Sequence, residues 1–412
     1  MKRADRQEYR DVTALGVRPD GTQGIEDALS KAFAAGVRKL YFPRGDYRID
    51  GTLRMPSGTH VEADAEARVF SIAGNRANEL VTNADWKEGN RDIAIRGGRW
   101  DGNCGERDEN SFDPEKGYGG RFFHFVNLKG LHVSDLEAFD SVTYHFSLAR
   151  VTDFRFANLR IGGDRRPMCQ DGIHVGGGCE RGQIHNLIAH AGGMGDDLIA
   201  LNADDVFHYV WNDQQQALPI RDITVENIDA PDCFTVVRLL TVDQPIERCT
   251  FRNIRAGFRI HGLNLDAARY CMHPMFHDQD RPHGVGALRD ILFENIDLWN
   301  TGGNPERARE LVTYESNGTN VVFRNMRHRC DLAESPAEKR QPLVRFRHLA
   351  ATSLLVDGVR RELGEGEIFT LEQKRVDELR IDRKPTGDGP GGRPERDPAH
   401  ADSRRTIRRA SR

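Results

Sequence analysis

"ITVENI" at residues 223–228 is followed by "CTFRNI" at 249–254, "ILFENI" at 291–296 and "VVFRNM" at 321–326. Each stretch alternates apolar and polar residues, then sets an asparagine before a last apolar side chain. Working back towards the N-terminus, "FRFANL" (154–159) and a shortened "QIHNL" (183–187) share the form, and "LHVSDL" (131–136) carries Asp135 in the asparagine's place. The asparagines are Asn158, Asn186, Asn227, Asn253, Asn295 and Asn325, spaced by 28, 41, 26, 42 and 30 residues. A base period in the twenties, interrupted by insertions, marks a stacked solenoid. Short alternating runs mark strands, and no long 3.6-residue periodicity competes with them. The expected fold is all-β: a single-stranded right-handed parallel β-helix, each strand pairing with its equivalent one coil along, about 4.8 Å away. An asparagine at the same corner of every coil satisfies turn backbone and stacks as a ladder, so these residues are read as structural.

Composition agrees. Of 412 residues, 38% are hydrophobic and 41 are glycine, which suits many turns around a thin core. Net charge is −4 from 59 basic and 63 acidic residues, so no overall field points to nucleic acid. No run of 18 apolar residues and no apolar leader segment is found, so neither a membrane partner nor export is expected and the reading is cytoplasmic. Cys104, Cys169, Cys179, Cys233, Cys249, Cys271 and Cys330 are odd in number and lack any CxxC, which reads as free thiols. No cofactor and no metal is expected.

Three regions follow along the chain: an N-terminal extension over 1–10, a β-helix over 11–381 and a basic tail over 382–412. Within the second, "GIEDALSKAFAAG" (24–36) places Ile25, Leu29 and Phe33 on one side of a short helix that would cap the open end of the solenoid. The tail is rich in Pro, Gly and Arg and is expected to be disordered.

Between the asparagine corners lies a second strand per coil: "FFHFV", "YHFSL", "DGIHV", "DDLIAL", "VVRLL", "FRIHGL", "LVTYES" and "LVRFRHL". Period-two alternation predicts an outward column of His124, His145, His174, the Asp196–Asp197 pair, Arg238, Arg259 with His261, and Arg345 with Arg347. Asp171 and Asp197 fall at equivalent places in neighbouring coils, so three carboxylates should converge in one open groove. Crowded carboxylates do not all ionise freely, and a proton donor beside an acceptor is what glycosidic cleavage requires. The same acids could instead hold calcium or sit solvated in a turn. Insertions at 202–219, with Phe207, Tyr209 and Trp211, and at 266–284, with His273, His277 and His283, interrupt the spacing. The aromatic residues of the first, Trp211 above all, would stack on sugar rings.

"DVTALGVRPDGTQGIEDALSKAFAAGVRKLYFPRGDYRI" (11–49) resembles the N-terminal coil of the pectate-lyase-like β-helix superfamily. "DSVTYHFSLARVTDFRFANLRI" (140–161), "CQDGIHV" (169–175) and "GMGDDLIALN" (193–202) resemble the polygalacturonase family of glycoside hydrolases. The resemblance spans roughly 11–262 and is sharpest over 141–202. It implies that Asp196 is the general acid, while Asp171 and Asp197 position and deprotonate a water, with inversion at the anomeric carbon. The family's Gly-His-Gly element is missing, and Arg238 is the nearest outward polar residue of that coil. At its Arg-x-Lys element stands Arg259-Ile260-His261, which keeps the Arg and replaces the Lys by His. His145, His174, Arg238, Arg259, His261 and Trp211 are then the candidate substrate contacts, and the expected partner is a polysaccharide or oligosaccharide bearing uronic acids. Two other readings stay open: a polysaccharide lyase or epimerase, and a carbohydrate-binding solenoid without catalysis.

Overall fold

The computed structural model describes residues 8–107, 112–113, 117–165, 167, 169–190, 194–204, 214–267, 286–301 and 311–329, and beyond them the strands 344–346, 350–351, 354–361, 369–371, 375–376, 378–382 and 405–408. The strands wind as a right-handed parallel β-helix. Parallel pairing begins where Arg10–Asp11 meets Lys39–Phe42 and continues to Leu354–Arg361 against Glu378–Asp382. Strands such as Ile220–Leu240 and Ile246–Asp266 run through more than one face of a coil, and their register follows the repeat, with Val225 beside Phe251 and Ile228 beside Ile254.

The repeat explains both the core and the corners. The apolar residue two before each asparagine points inward, giving the column Val133, Phe156, Ile184, Val225, Phe251, Phe293, Phe323. Its last three rings stack face to face at 4.9 and 5.2 Å. Each repeat asparagine adopts the left-handed region, with φ between 51° and 60°. Asparagine tolerates that conformation better than other non-glycine residues, so the sequence turns there. The amides then bond to one another from coil to coil: Asn325 to Asn295 (2.7 Å), Asn295 to Asn253 (3.1 Å), Asn253 to Asn227 (3.0 Å), Asn227 to Asn186 (3.1 Å) and Asn186 to Asn158 (2.8 Å). Asn158 donates to Asp135 (2.8 Å), and Arg96 caps that carboxylate's other oxygen at 2.8 Å.

A second left-handed corner is built from charge. Asp153, Arg181, Asp222, Arg248, Asp290 and Asn320 all have φ between 53° and 58°. Arg181 bonds Asp153 at 2.6 Å, Arg248 bonds Asp222 at 2.7 Å and Asn320 bonds Asp290 at 2.7 Å. No common residue type marks this corner, which is why the repeat did not reveal it.

Glu26–Ala34 forms the capping helix, with Leu29, Ala32 and Phe33 buried beneath it. At the other end, 383–404 and 409–412 of the expected tail lie outside the described residues. Arg405–Arg408 forms a strand antiparallel to Glu378–Asp382. The last coil of a solenoid exposes unpaired backbone groups, and a returning strand satisfies them even where it brings few apolar residues. Five of the cysteines are described, all as free thiols. Among the described residues no helix is long and apolar enough to cross a membrane.

Candidate active site

Two coils carry the acids. The strand Ile173–Gly176 pairs with Asp197–Asn202, Ile173 lying beside Ile199 and Val175 beside Leu201. Extending that register by two residues sets Asp171 beside Asp197, and the backbone agrees: Gly172 N–H donates to the Asp197 carbonyl at 2.9 Å, and Asp196 N–H to the Gln170 carbonyl at 3.0 Å. The turn before Asp196 is tight. A side chain added at Gly195 would lie 1.9 Å from the Pro167 carbonyl oxygen, so only glycine fits.

One oxygen from each of Asp171, Asp196 and Asp197 lies within 4.8 Å of the others. Asp171 and Asp197 are buried and Asp196 is partly exposed. Oδ2 of Asp171 lies 2.8 Å from His174 Nδ1, and its Oδ1 accepts from the Asp197 backbone N–H at 3.2 Å. The Tyr144 ring packs on the His174 imidazole at 4.6 Å. Burial, followed by the negative charges of Asp197 and Asp171, raises the proton affinity of Asp196 well above the carboxylate range. Burial does the same to Asp197, while Arg238 opposes it. The pair holds protons that an exposed aspartate releases. Among the described residues these three acids are also the group with the spacing to ligate a cation.

The remaining candidates divide. Register places Thr82, His124, Ser147, His174, Ala200, Arg238, Asn264 and Thr313 in one outward column. His145 is not part of it, because Phe123 pairs with Phe146 and Ser147 therefore lines up with His124. The His145 ring is buried, with Nδ1 2.9 Å from the Asp171 carbonyl oxygen and Nε2 3.2 Å from that of Gly162. Burial pushes its pKa down to about 4. It supports the turn carrying Asp171.

Arg238 contacts Asp197 Oδ2 at 3.6 Å and bonds Asp266 Oδ2 at 3.0 Å. Arg259 donates to Asp232 Oδ2 at 3.1 Å and to the carbonyl of Met194, two residues before Asp196. His261 lies beside Thr235, which lies beside Asp197 and bonds it, and Nδ1 of His261 is 3.2 Å from the Thr313 hydroxyl. The expected open groove is instead a largely buried floor, His124, His174, Thr235 and Asn264 included. Trp211, Phe207, Tyr209, Arg347 and the three histidines of 266–284 lie outside the described residues. Sequence reasoning missed Thr235, Asp232 and Asp266. Thr235 has no charge to draw notice, and the two aspartates act on arginines one coil away, a relation that only register supplies.

No family model matches the chain. A curated relative, the phage-related protein YobO of Bacillus subtilis (strain 168), is 28% identical over 159 residues, a span covering 34% of this chain and 18% of that protein. Solved structures agree over nearly the whole chain. The exopolygalacturonase of Thermotoga maritima matches 91% of this chain and 90% of its own, with TM-score 0.59 and 13% identity. The family 28 exopolygalacturonase of Yersinia enterocolitica matches 91% and 79%, with TM-score 0.57 and 14% identity. PfbA, a surface adhesin of Streptococcus pneumoniae, matches 91% and 89%, with TM-score 0.59 and 14% identity. The chain has the right-handed parallel β-helix fold of these structures.

Proposed function

We propose that the protein is a glycoside hydrolase that cleaves glycosidic bonds in a polysaccharide or oligosaccharide. The observation that carries this reading is a pair of proton-retaining carboxylates, Asp196 and Asp197, within 4.8 Å of Asp171, whose two oxygens are fixed by His174 and the Asp197 backbone. Asp196 is the partly exposed member and gives its proton to the leaving glycosidic oxygen as the anomeric carbon–oxygen bond breaks. Water attacks the anomeric carbon and passes a proton to Asp171, with Asp197 orienting it. One water is consumed and one new reducing end appears. Comparable fold in two exopolygalacturonases supports the reading, while PfbA shows that the fold also serves an adhesin.

A lyase or epimerase reading draws on the same three acids, whose spacing suits a hard cation as well as a shared proton. Product analysis on a glycan panel separates the two. New reducing ends without unsaturated sugars support hydrolysis, unsaturated ends replace it with elimination, and binding without products leaves a carbohydrate-binding solenoid.

A further inference from the structure

The charges around the three acids bear on which sugar the site accepts, given the hydrolase reading above. Resemblance implies that Arg259 clamps a uronate carboxylate. Its guanidinium is already taken: one terminal nitrogen bonds Asp232 at 3.1 Å, and the other bonds the Met194 carbonyl. Asp232 is itself fixed, its second oxygen accepting from the Thr301 hydroxyl at 2.7 Å. Thr301, Asp232 and Arg259 thus form a brace from a later coil onto the turn that carries Asp196. Arg238, the other guanidinium here, lies between Asp197 and Asp266.

Two arginines therefore face five carboxylates among the described residues: Asp171, Asp196, Asp197, Asp232 and Asp266. With all five ionised and His174 neutral the sum is 2 − 5 = −3, and with one proton shared by Asp196 and Asp197 and another on His174, which lies 2.8 Å from Asp171, it is 3 − 4 = −1. A uronate would bring another negative charge into a field of its own sign and would have to break an existing arginine–aspartate pair to gain a partner. Sugar hydroxyls meet no such cost, because carboxylates accept their hydrogen bonds.

We propose that the sugar at the cleavage point is an uncharged, hydroxyl-bearing unit, and that Arg259 is a positioning residue for Asp196. The substrate is then a neutral glycan, or a mixed one cleaved at its neutral unit.

Matched glycans test this. Pectate, alginate and glucuronoxylan oligomers, each native and carboxyl-reduced, differ in charge at fixed linkage. Their binding to the folded Asp196→Asn protein reads recognition apart from turnover, so it stands even where the wild type cleaves nothing and the hydrolase reading fails. At least one carboxyl-reduced form should bind about tenfold more tightly than its native partner. Tighter binding of the native forms, or binding of neither form, overturns the proposal. Asp232→Asn, which frees Arg259, should raise uronate affinity and lower kcat. Unchanged uronate binding in that folded variant counts against the proposal. Arg259→Gln should lower kcat with KM little changed, as for a residue acting through Asp196. A rise in KM for a uronate substrate at unchanged kcat makes Arg259 a clamp and overturns the assignment.

Discussion

The backbone N–H of Asp197 donates to Oδ1 of Asp171 at 3.2 Å, across two neighbouring coils. With His174 on the other oxygen at 2.8 Å, the Asp171 carboxylate is held by donors on both sides. Among the described residues Asp196 has no such pair of donors, and burial beside two other acids raises its proton affinity. Asp196→Asn keeps the shape and removes the donor, so turnover should fall about 10²-fold or more while glycan binding persists. Reducing-end assays with binding measured on the same protein check this. Wild-type turnover in the variant sinks the proposed acid.

Burial raises Asp197 to about 7, above the about 4 of an unfolded aspartate. A folded-state value raised in this way means that the folded protein binds the proton more tightly. The contribution of Asp197 to stability is therefore fully present below about pH 4 and is lost as pH rises through about 7. Asp197→Asn, neutral throughout, should match the wild type in Tm near pH 4 and exceed it by several degrees at pH 8, while activity falls. A Tm difference that does not change with pH would show that the buried charge is not its origin. The wild type's activity should also decline above about pH 7 as the acid pair loses its shared proton.

The fold was legible because one asparagine recurs at a fixed place in each coil and two strand periods flank it. The Asp153–Arg181–Asp222–Arg248 corner was not, since alternating charge spells no motif until register stacks it. At the site, the three aspartates were legible from "DGIHV" and "DDLIAL" standing one coil apart. The partners of His145 and Arg259 were not legible, for one cause. Alternation tells which side of a strand a residue occupies, not whether a backbone carbonyl or a neighbouring aspartate already holds it. His145 bonds the Asp171 carbonyl, and Arg259 bonds Asp232 and Met194.

The asparagine ladder gives a stability prediction independent of function. Asn227 donates to Asn186 at 3.1 Å, accepts from Asn253 at 3.0 Å and has φ of 60°. Asn227→Ala loses both amide bonds and forces alanine into the left-handed region, a cost of about 2 kcal/mol. Asn227→Gly restores the backbone freedom but not the bonds, so it should recover about half. Urea denaturation of the two variants measures each part. Equal losses would show that the conformation contributes nothing.

Stereochemistry is the sharpest remaining test of mechanism. Inverting hydrolases separate acid and base by about 6.5–9.5 Å to admit a water, whereas retaining ones hold them about 5–5.5 Å apart for direct attack. The nearest oxygens of Asp171, Asp196 and Asp197 lie within 4.8 Å of one another, tighter than the inverting range. Direct attack needs an acceptor free to reach the anomeric carbon. Asp171 has one oxygen on His174 and the other on the Asp197 backbone, and Asp197 is buried against Thr235 and Arg238. Such anchored carboxylates suit holding a water better than forming a bond to sugar. The first-formed product should therefore have the opposite anomeric configuration to the substrate, as proton NMR in the opening minutes of hydrolysis would record. Initial product of unchanged configuration, together with a trapped glycosyl ester on Asp171 or Asp197, would replace the water-mediated route with a covalent one.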